Sequence, residues 1–186
     1  MKQNEGMRIE LLNFILRSLQ CLQREKLNRS TEQSKVSNPS GKEMNVAFSG
    51  SGFLSIYQLG VAAGLVEYAP DLVQNLNSAS GASGGALTAS ALIACPDKIA
   101  ELTRYCIDIG LKTRDYYTGA FNPRVNVPHM IEESLDRVFP DNAHLIVGNK
   151  LYISLTRIPD KQNILVNKFF SKMDLIKVSL RSTVVP

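Results

Sequence analysis

The stretch Gly81-Ala82-Ser83-Gly84-Gly85 limits the fold of this chain more than any other part of its sequence. A G-x-S-x-G motif holds its serine at the apex of a tight turn from a strand into a helix, where side chains two residues to either side would clash. Such a serine can act as an acyl-transfer nucleophile when a base and amide donors stand beside it. A plain glycine-serine loop before an apolar helix is the alternative for this stretch taken alone.

The residues on either side of the motif fit this strand, turn and helix. Residues 86–94 are small and apolar and predict a buried helix, which Cys95-Pro96 ends because proline cannot continue it. Residues 76–80 have poor β-propensity. The strand before the serine is therefore predicted from the motif rather than from its own residues.

A second glycine-rich turn, Ser49-Gly50-Ser51-Gly52, follows a short apolar run at residues 44–48 and precedes a helical pattern at residues 54–68. Successive backbone N–H groups beside a helix start form an anion-binding nest. A dinucleotide would need G-x-G-x-x-G and an acid about 20 residues on, at the end of a second strand. This chain has Ser55 in place of the third glycine, and the nearest acid, Glu67, falls inside the helical pattern. The other ligand is the oxyanion of an acyl transfer, which needs the nucleophilic serine nearby.

The composition argues against several classes of partner. The net charge of +4 is small, and lysine and arginine neither cluster nor alternate with aromatic residues, so nucleic-acid binding is not indicated. The three cysteines, Cys21, Cys95 and Cys106, form no C-x-x-C pair, which predicts neither a zinc site nor a disulfide framework and favours a reducing compartment. No apolar run reaches the roughly 18 residues of a membrane span, and Arg17 interrupts the only early apolar stretch, so no signal peptide is predicted either.

Three segments are expected along the chain. Residues 1–27 contain a basic amphipathic helix from about Met7, a pattern typical of helices that lie on a membrane or lipid-droplet surface. The alternative is that this helix packs on its own domain or is a poorly ordered extension. Residues 28–43 are almost wholly polar and predict a linker. The folded domain is expected at residues 44–186.

The rest of the folded domain continues an α/β pattern. Helices are expected at residues 97–117, 128–139 and 171–181. The apolar side of the first of them would be formed by Ile99, Leu102, Cys106, Ile109 and Leu111. Strand-like residues 150–158 and 163–170 flank Pro159-Asp160-Lys161-Gln162, which predicts a hairpin, and residues 183–185 would begin another strand.

Taken together, the two glycine motifs resemble those of a known family. Residues 48–61 (FSGSGFLSIYQLGV) and 81–89 (GASGGALTA) resemble the patatin-like phospholipase family, and residues 151–157 (LYISLTR) add a likeness to the branch of adipose triglyceride lipase and adiponutrin. The resemblance runs from about residue 44 to the last residue. It implies an α/β fold, a three-layer sandwich with a mainly parallel sheet that is C-terminally incomplete in this chain. It also implies a serine lipid acyl hydrolase that uses a Ser–Asp dyad without histidine, cofactor or metal.

Carried over residue by residue, the resemblance implies that Ser83 is the nucleophile and that Gly81 and Gly85 are the glycines of its turn. The oxyanion hole would be formed by three backbone amides, those of Gly50, Ser51 and Gly52.

The chain departs from the family pattern at two places. Ser55 stands where the family usually has glycine, a change expected to affect packing more than chemistry. The family's base is an aspartate in Asp-Gly-Gly or Asp-Gly-Ala downstream of the serine, and this chain contains no Asp-Gly. We therefore expect a truncated or fragmentary member that is weakly active or inactive alone.

The acids and histidines that follow Ser83 are expected to serve in caps, turns and solvated surfaces rather than in catalysis. Three aspartates are expected at a helix start or in turns: Asp97, Asp141 and Asp160. Asp174 is expected to form a capping box with Ser171. Solvated helix faces are expected to hold Asp108, Asp115 and Asp136. His129, at a helix start, and His144, in a turn, are expected to be surface or capping residues.

The function expected from these features is that of a triacylglycerol lipase or phospholipase in lipid catabolism and triglyceride homeostasis. Its partners would be an acylglycerol or phospholipid substrate and a lipid-droplet or membrane surface, with a protein co-activator left open. The expected location is cytoplasmic and peripheral to lipid droplets or membranes. Two alternatives are a non-catalytic lipid-surface binding module and a nucleotide-binding α/β domain.

Overall fold

The structure is a computed structural model that describes residues 44–114, 126–158 and 160–182. Its strands are β1 (Met44–Phe48), β2 (Leu76–Ala82), β3 (Leu151–Thr156) and β4 (Asn163–Val166). Its α-helices are α1 (Ser55–Tyr68), α2 (Pro70–Gln74), α3 (Gly84–Ala94), α4 (Ile99–Arg114), α5 (Val127–Val138), α6 (Ala143–Val147) and α7 (Lys172–Arg181). Short 3-10 helices, Gly52–Leu54 and Pro96–Lys98, precede α1 and α4.

The described strands form one sheet in the order β1-β2-β3-β4. The first three are parallel, and β4 is antiparallel to β3. In the register, Phe48 pairs with Gly81, and Gly81 pairs with Ile153. The carboxyl ends of β1 and β2 therefore meet at one edge of the sheet, which brings the two glycine motifs side by side. The expected α/β class, the mainly parallel sheet and the hairpin of β3 and β4 are confirmed.

Helix α3 lies at the centre of the core and packs on β1, β2 and β3. All its residues except Ile93 are buried, and the small side chains of the alanines and glycines let the helix approach the sheet closely. Its polar residues are satisfied, because the Ser90 hydroxyl donates to the Ala86 carbonyl at 2.7 Å and lies 3.2 Å from the Ser179 hydroxyl of α7. A buried hydroxyl without such partners would be destabilising.

The two faces of the sheet differ. Strands β1, β2 and β3 follow one another in one direction, so right-handed crossovers place the connecting helices on a single face. The other face carries Asn45, Ala47, Ser78 and Ser80, which are exposed or half-buried. A second helical layer over this face, as in a three-layer sandwich, stays a prediction.

Several element boundaries differ from the expectations. Leu111 is an exposed residue of α4 rather than part of its buried side, whereas Ile99, Leu102 and Ile109 are buried as expected. A short helix, α6, was not expected, and His144 lies in it rather than in a turn. Strand β4 ends at Val166, because the next residues lead into the start of α7. The expected helix and linker before residue 44, the residues after Arg114 up to 117, and residues 183–185 lie outside the described part of the chain.

Cys95 and Cys106 are free thiols. Burial raises the pKa of the Cys95 thiol to about 12 and that of Cys106 to about 11. Because the thiolate is the reactive form, both side chains are expected to react slowly with alkylating reagents at neutral pH.

Side-chain caps begin α5 and α7. The Ser171 hydroxyl accepts a hydrogen bond from the Asp174 N–H at 3.0 Å, and the Asp174 carboxylate accepts one from the Phe170 N–H at 3.0 Å. The Asn126 side chain accepts from the His129 N–H at 3.1 Å. The expected pairing of Ser171 with Asp174 is confirmed. Both caps satisfy helix N–H groups that have no partner within the helix.

Replacing Ser171 by alanine should lower the free energy of unfolding by about 1 kcal/mol, because the first turn of α7 loses its acceptor. Urea-induced unfolding at an unchanged m-value measures this loss. Asn142→Ala is the matched control, since Asn142 precedes α6 without a side-chain cap and should change stability far less. Equal losses in the two variants would contradict the capping role of Ser171.

Candidate active site

Ser83 occupies a strained backbone conformation between β2 and α3. Its φ is 54° and its ψ is −130°, in the half of the map that residues other than glycine rarely adopt. The Ala86 N–H donates to the Ser83 carbonyl at 2.9 Å, which closes the first turn of α3. This strand-to-helix turn is the conformation expected of a G-x-S-x-G motif. We call residues 81–85 the serine elbow.

Steric contacts explain the glycines of the serine elbow. A Cβ atom built on Gly81 would lie 2.3 Å from the Gly85 carbonyl oxygen, and one built on Gly85 would lie 2.3 Å from the Phe48 carbonyl oxygen. Both obstacles are backbone atoms, which cannot move aside as a flexible side chain can. A side chain at Gly81 would therefore force β2 away from the start of α3, and one at Gly85 would force the elbow away from β1.

The first glycine-rich turn, residues 49–52, packs directly against the serine elbow. A Cβ atom built on Gly50 would lie 3.4 Å from the Ser83 Cβ. A Cβ atom built on Gly84 would lie 3.1 Å from both the Gly52 carbonyl oxygen and the Ser51 hydroxyl. The proximity that the sequence predicts for the two turns is present, and we call residues 49–52 the glycine turn.

The glycine turn leads into a continuous helical segment. The Leu54 N–H donates to the Ser51 carbonyl at 2.9 Å, so the N–H groups of Ser51 and Gly52 precede the first intrahelical donor. Gly52 has a φ of +52°, a value that glycine adopts without strain. The Gln58 side-chain amide donates to the Ser49 carbonyl at 2.9 Å, which holds the turn against α1. The amides that precede a helix start in this way carry partial positive charge.

Two serines of the first motif contact the serine elbow. The Ser51 hydroxyl is buried and has no hydrogen-bond partner among the described residues. Ser55, which replaces the usual glycine, is also buried, and a Cβ atom on Gly84 would approach the Ser55 Cβ to 2.9 Å. The replacement of the family's glycine by Ser55 thus affects packing, because Gly84 has no side chain and leaves room for that of Ser55.

The backbone N–H of Ser83 has a partner that the motifs did not reveal. It donates to the Ser182 hydroxyl at 2.7 Å, and that hydroxyl donates to the Ser154 carbonyl at 2.8 Å. Ser182 follows α7, far from the elbow in sequence, and lies in no recognisable motif. Only the folded arrangement of β2, β3 and α7 identifies it.

The acidic side chains lie elsewhere. Asp136 pairs with Lys172 between α5 and α7, and Arg157 pairs with Asp160 in the hairpin, where the guanidinium lowers the pKa of that exposed carboxyl.

Asp97 and Asp141 lie in a 3-10 helix and a turn, as expected. Asp108 is exposed on α4, and Asp115 lies outside the described residues. Within the described ranges, no carboxylate forms a hydrogen bond with Ser83.

The histidines do not supply a base either. His129 is exposed in the first turn of α5, and its ring lies 3.8 Å from the Glu133 carboxylate. His144 lies in α6, and its Nδ1 atom is buried without a partner among the described residues. Where the structure is described, neither ring forms a hydrogen bond with Ser83.

Other ligands fit the described residues less well. The end of β2, where a dinucleotide fold would carry an acid, holds Ala82 and then Ser83. The histidines, cysteines and acids of the described residues form no cluster that could hold a metal ion. Among the helices that are described, none has the length and apolarity needed to cross a bilayer.

Comparisons with known proteins point to one family. The model of the patatin-like phospholipase family matches residues 46–186. Human patatin-like phospholipase domain-containing protein 4 is 35% identical over 145 residues, which are 78% of this chain and 57% of that protein. Human patatin-like phospholipase domain-containing protein 2 is 37% identical over 150 residues, 80% of this chain and 29% of that protein. A mouse 1-acylglycerol-3-phosphate O-acyltransferase is 32% identical over 145 residues, 78% of this chain and 35% of that protein.

The chain thus spans between 29% and 57% of the length of these relatives. No solved structure matches it significantly. The family model covers most of the chain and includes both glycine motifs. The chain therefore belongs to the patatin-like phospholipase family, a family of lipid hydrolases and acyl transferases, within the branch of adipose triglyceride lipase and adiponutrin.

Proposed function

We propose that this chain carries the nucleophile and the oxyanion hole of a serine lipid acyl hydrolase. The observation that supports this most directly is the contact between the glycine turn and the serine elbow, with Gly50 against Ser83. A single acyl carbonyl in this place would meet a hydroxyl from one turn and amide hydrogens from the other. Both are needed for acyl transfer through a serine ester.

In the proposed reaction, the Ser83 hydroxyl loses its proton to a base while its oxygen attacks the carbonyl carbon of an acyl ester. The negative charge moves to the carbonyl oxygen, where the amides of Gly50, Ser51 and Gly52 stabilise it. The carbonyl re-forms, the lipid alcohol leaves with a proton, and the fatty acyl group remains on Ser83. Attack by water then releases the fatty acid, whereas attack by another alcohol transfers the acyl group. The mouse relative named as an O-acyltransferase fits the second outcome.

The base is the missing part of this scheme. An unperturbed carboxylate has a pKa near 4 and is a poor base at neutral pH, so a Ser–Asp dyad requires an aspartate whose pKa is raised by desolvation. The sequence contains no Asp-Gly, and among the described aspartates Asp174 serves in a cap while Asp160 and Asp136 form ion pairs. We therefore propose that the chain alone turns over esters weakly or not at all.

The proposed substrate is a lipid ester, either an acylglycerol or a phospholipid. By this proposal the protein acts in lipid catabolism and triglyceride homeostasis, and it reaches its substrate at the surface of a lipid droplet or membrane on the cytoplasmic side. A protein co-activator is an open part of the proposal.

The nucleophile can be tested without turnover by labelling with a fluorophosphonate ester. Without a nearby base, attack depends on spontaneous ionisation of the hydroxyl. The rate of Ser83 modification should therefore rise by about tenfold per pH unit across the neutral range. Mass spectrometry of the modified peptide measures the rate at each pH. Ser83→Ala should abolish the modification.

Ser78→Ala is the matched control for the labelling. Ser78 lies in the same strand and its hydroxyl donates to Asn45 at 2.7 Å, so the variant loses a β2 hydroxyl without touching the elbow. It should be labelled at Ser83 like the unaltered chain. Absence of label at Ser83 at every pH would contradict its role as nucleophile. A rate that levels off near neutral pH would show that a base is present after all.

A second candidate function, non-catalytic binding to a lipid surface, is favoured by one feature. Phe53, Leu54, Tyr57 and Val61 are exposed and directly follow the glycine turn. The last three share one side of the helix that begins there, opposite the buried Leu59. Exposed apolar residues grouped in this way are typical of surfaces that bind other molecules or lipid.

Replacing Leu54 and Tyr57 together by serine should reduce binding to phospholipid-coated triolein droplets by about thirtyfold, because each apolar side chain contributes about 1 kcal/mol when it leaves water. Flotation of the droplets through a density gradient measures the bound fraction. The same measurement on a chain without residues 1–43 separates the contribution of the expected amphipathic helix.

Leu145→Ser with Ile146→Ser is the control for droplet binding. Leu145 is 70% exposed, close to the 75% of Leu54 and 68% of Tyr57, but it lies on α6. The control pair should float like the unaltered chain. Equal loss in both double variants would show that the effect is not local to the glycine turn, and absence of flotation in all forms would remove the lipid-surface function.

A further inference from the structure

The ladder between β2 and β3 is interrupted at the serine elbow. Ala79 pairs with Leu151, and the Ala79 N–H donates to the carbonyl of Lys150, one residue before its partner, at 2.8 Å. In a parallel ladder, donors on one strand recur at every second residue. Ala82 pairs with Ser154, so a continued ladder would pair Ser83 with the next residue of β3. By the same repeat, the Ser83 N–H would then donate to the Ser154 carbonyl, one residue before that partner.

The Ser182 hydroxyl is inserted at this position of the ladder. It accepts from the Ser83 N–H at 2.7 Å and donates to the Ser154 carbonyl at 2.8 Å. A hydroxyl has one donor and two acceptor lone pairs, so it can make both bonds at once. One side chain thus replaces one missing backbone hydrogen bond, and we call this arrangement the Ser182 bridge.

The backbone N–H of Ser182 has a hydrogen-bond partner of its own. Its N–H donates to the Val178 carbonyl at 3.2 Å and completes the last turn of α7. The hydroxyl is therefore not used to cap its own helix, and its two partners lie in β3 and in the elbow. An end-of-helix serine with only a local role would not need either of these contacts.

We propose that Ser182 is a positioning residue for Ser83, a role that rests on the proposed function in which Ser83 is the nucleophile. The bridge gives hydrogen-bond partners to the Ser83 N–H and the Ser154 carbonyl, which move apart where the chain leaves β2. It thereby stabilises the positive φ of Ser83. It also occupies one amide that could otherwise face the substrate. In some serine hydrolases the N–H of the nucleophile itself stabilises the oxyanion. Here that N–H is taken by Ser182, so the Ser83 amide is not available to the oxyanion, which is compatible with the donors proposed in the glycine turn.

Amide hydrogen exchange measured by NMR tests the bridge on the full chain, independently of any activity. In Ser182→Ala, the Ser83 amide should exchange about tenfold faster relative to the Ala79 amide of the same strand, because local opening no longer breaks a hydrogen bond to Ser182. Ser182→Thr keeps the hydroxyl and should restore slow exchange. Ser182→Cys keeps a similar side-chain volume with a weak acceptor and should resemble alanine, so it replaces the alanine variant if that one does not fold.

Ser179→Ala is the matched control. Ser179 is a buried serine of the same helix, and its hydroxyl donates to the Leu175 carbonyl at 2.8 Å and lies next to Ser90 rather than the elbow. The variant should lower overall stability without a selective change at Ser83. If Ser182→Ala and Ser179→Ala change the ratio of Ser83 to Ala79 exchange equally, the proposed bridge is overturned.

Labelling of Ser83 by the fluorophosphonate tests the consequence for the nucleophile. Ser182→Ala should lower the maximal labelling rate by about tenfold with little change in probe affinity, and Ser182→Thr should restore it. If exchange changes but the labelling rate does not, the bridge has no positioning role and the proposal is overturned. If no form is labelled while exchange changes as expected, the proposed function of Ser83 fails and the bridge stands as a structural bond.

Discussion

The close approach of two backbone segments, the end of β1 and the first turn of α3, is the constraint on which the rest of this structure depends. At Gly85 the helix comes so near to the carbonyls of Phe48 and Ser49 that even a methyl group would overlap them. A helix with larger side chains at its start could not pack this close to the strand. This close approach sets the distance between α3 and the sheet. It thereby also sets the direction of the chain at Ser83, where β2 ends.

The glycine turn follows from the same constraint. Because β1 and β2 are adjacent and parallel, the chain must turn at the same edge of the sheet after each of them. With α3 held close, the turn after β1 passes next to Ser83, and a Cβ atom built on Gly50 would lie in van der Waals contact with the Ser83 Cβ, at 3.4 Å. The replacement of glycine by Ser55 is tolerated for a related reason, since Gly84 lacks the side chain that would collide with it. Close packing of backbone at the glycines therefore brings the two turns side by side.

The sequence was informative where local chemistry decides the structure, and less so where distant segments meet. The G-x-S-x-G motif predicted a strand at residues 76–80 that their β-propensity did not support, and β2 forms there because β1 and β3 pair with it on both sides. The exposure of Leu111 and the short helix α6 depend on tertiary packing, which the hydrophobic periodicity of the sequence does not predict. Ser182 could not be identified at all, since its role depends on the register between β2 and β3 and on where α7 ends.

The geometry of the serine elbow and the supply of a base are separable properties of this fold. The elbow is built by glycine contacts, by the start of α3 and by the hydroxyl of Ser182, all of which are uncharged. Under the proposed function, deprotonation of Ser83 by contrast calls for a desolvated carboxylate, whereas Asp160 of the hairpin and Asp136 of α5 form ion pairs with their carboxylates exposed. The Arg157 guanidinium lowers the pKa of the Asp160 carboxyl, which is the opposite of what a base for serine needs. Under the proposed function, the serine elbow therefore forms independently of the carboxylate on which the rate of acyl transfer would depend.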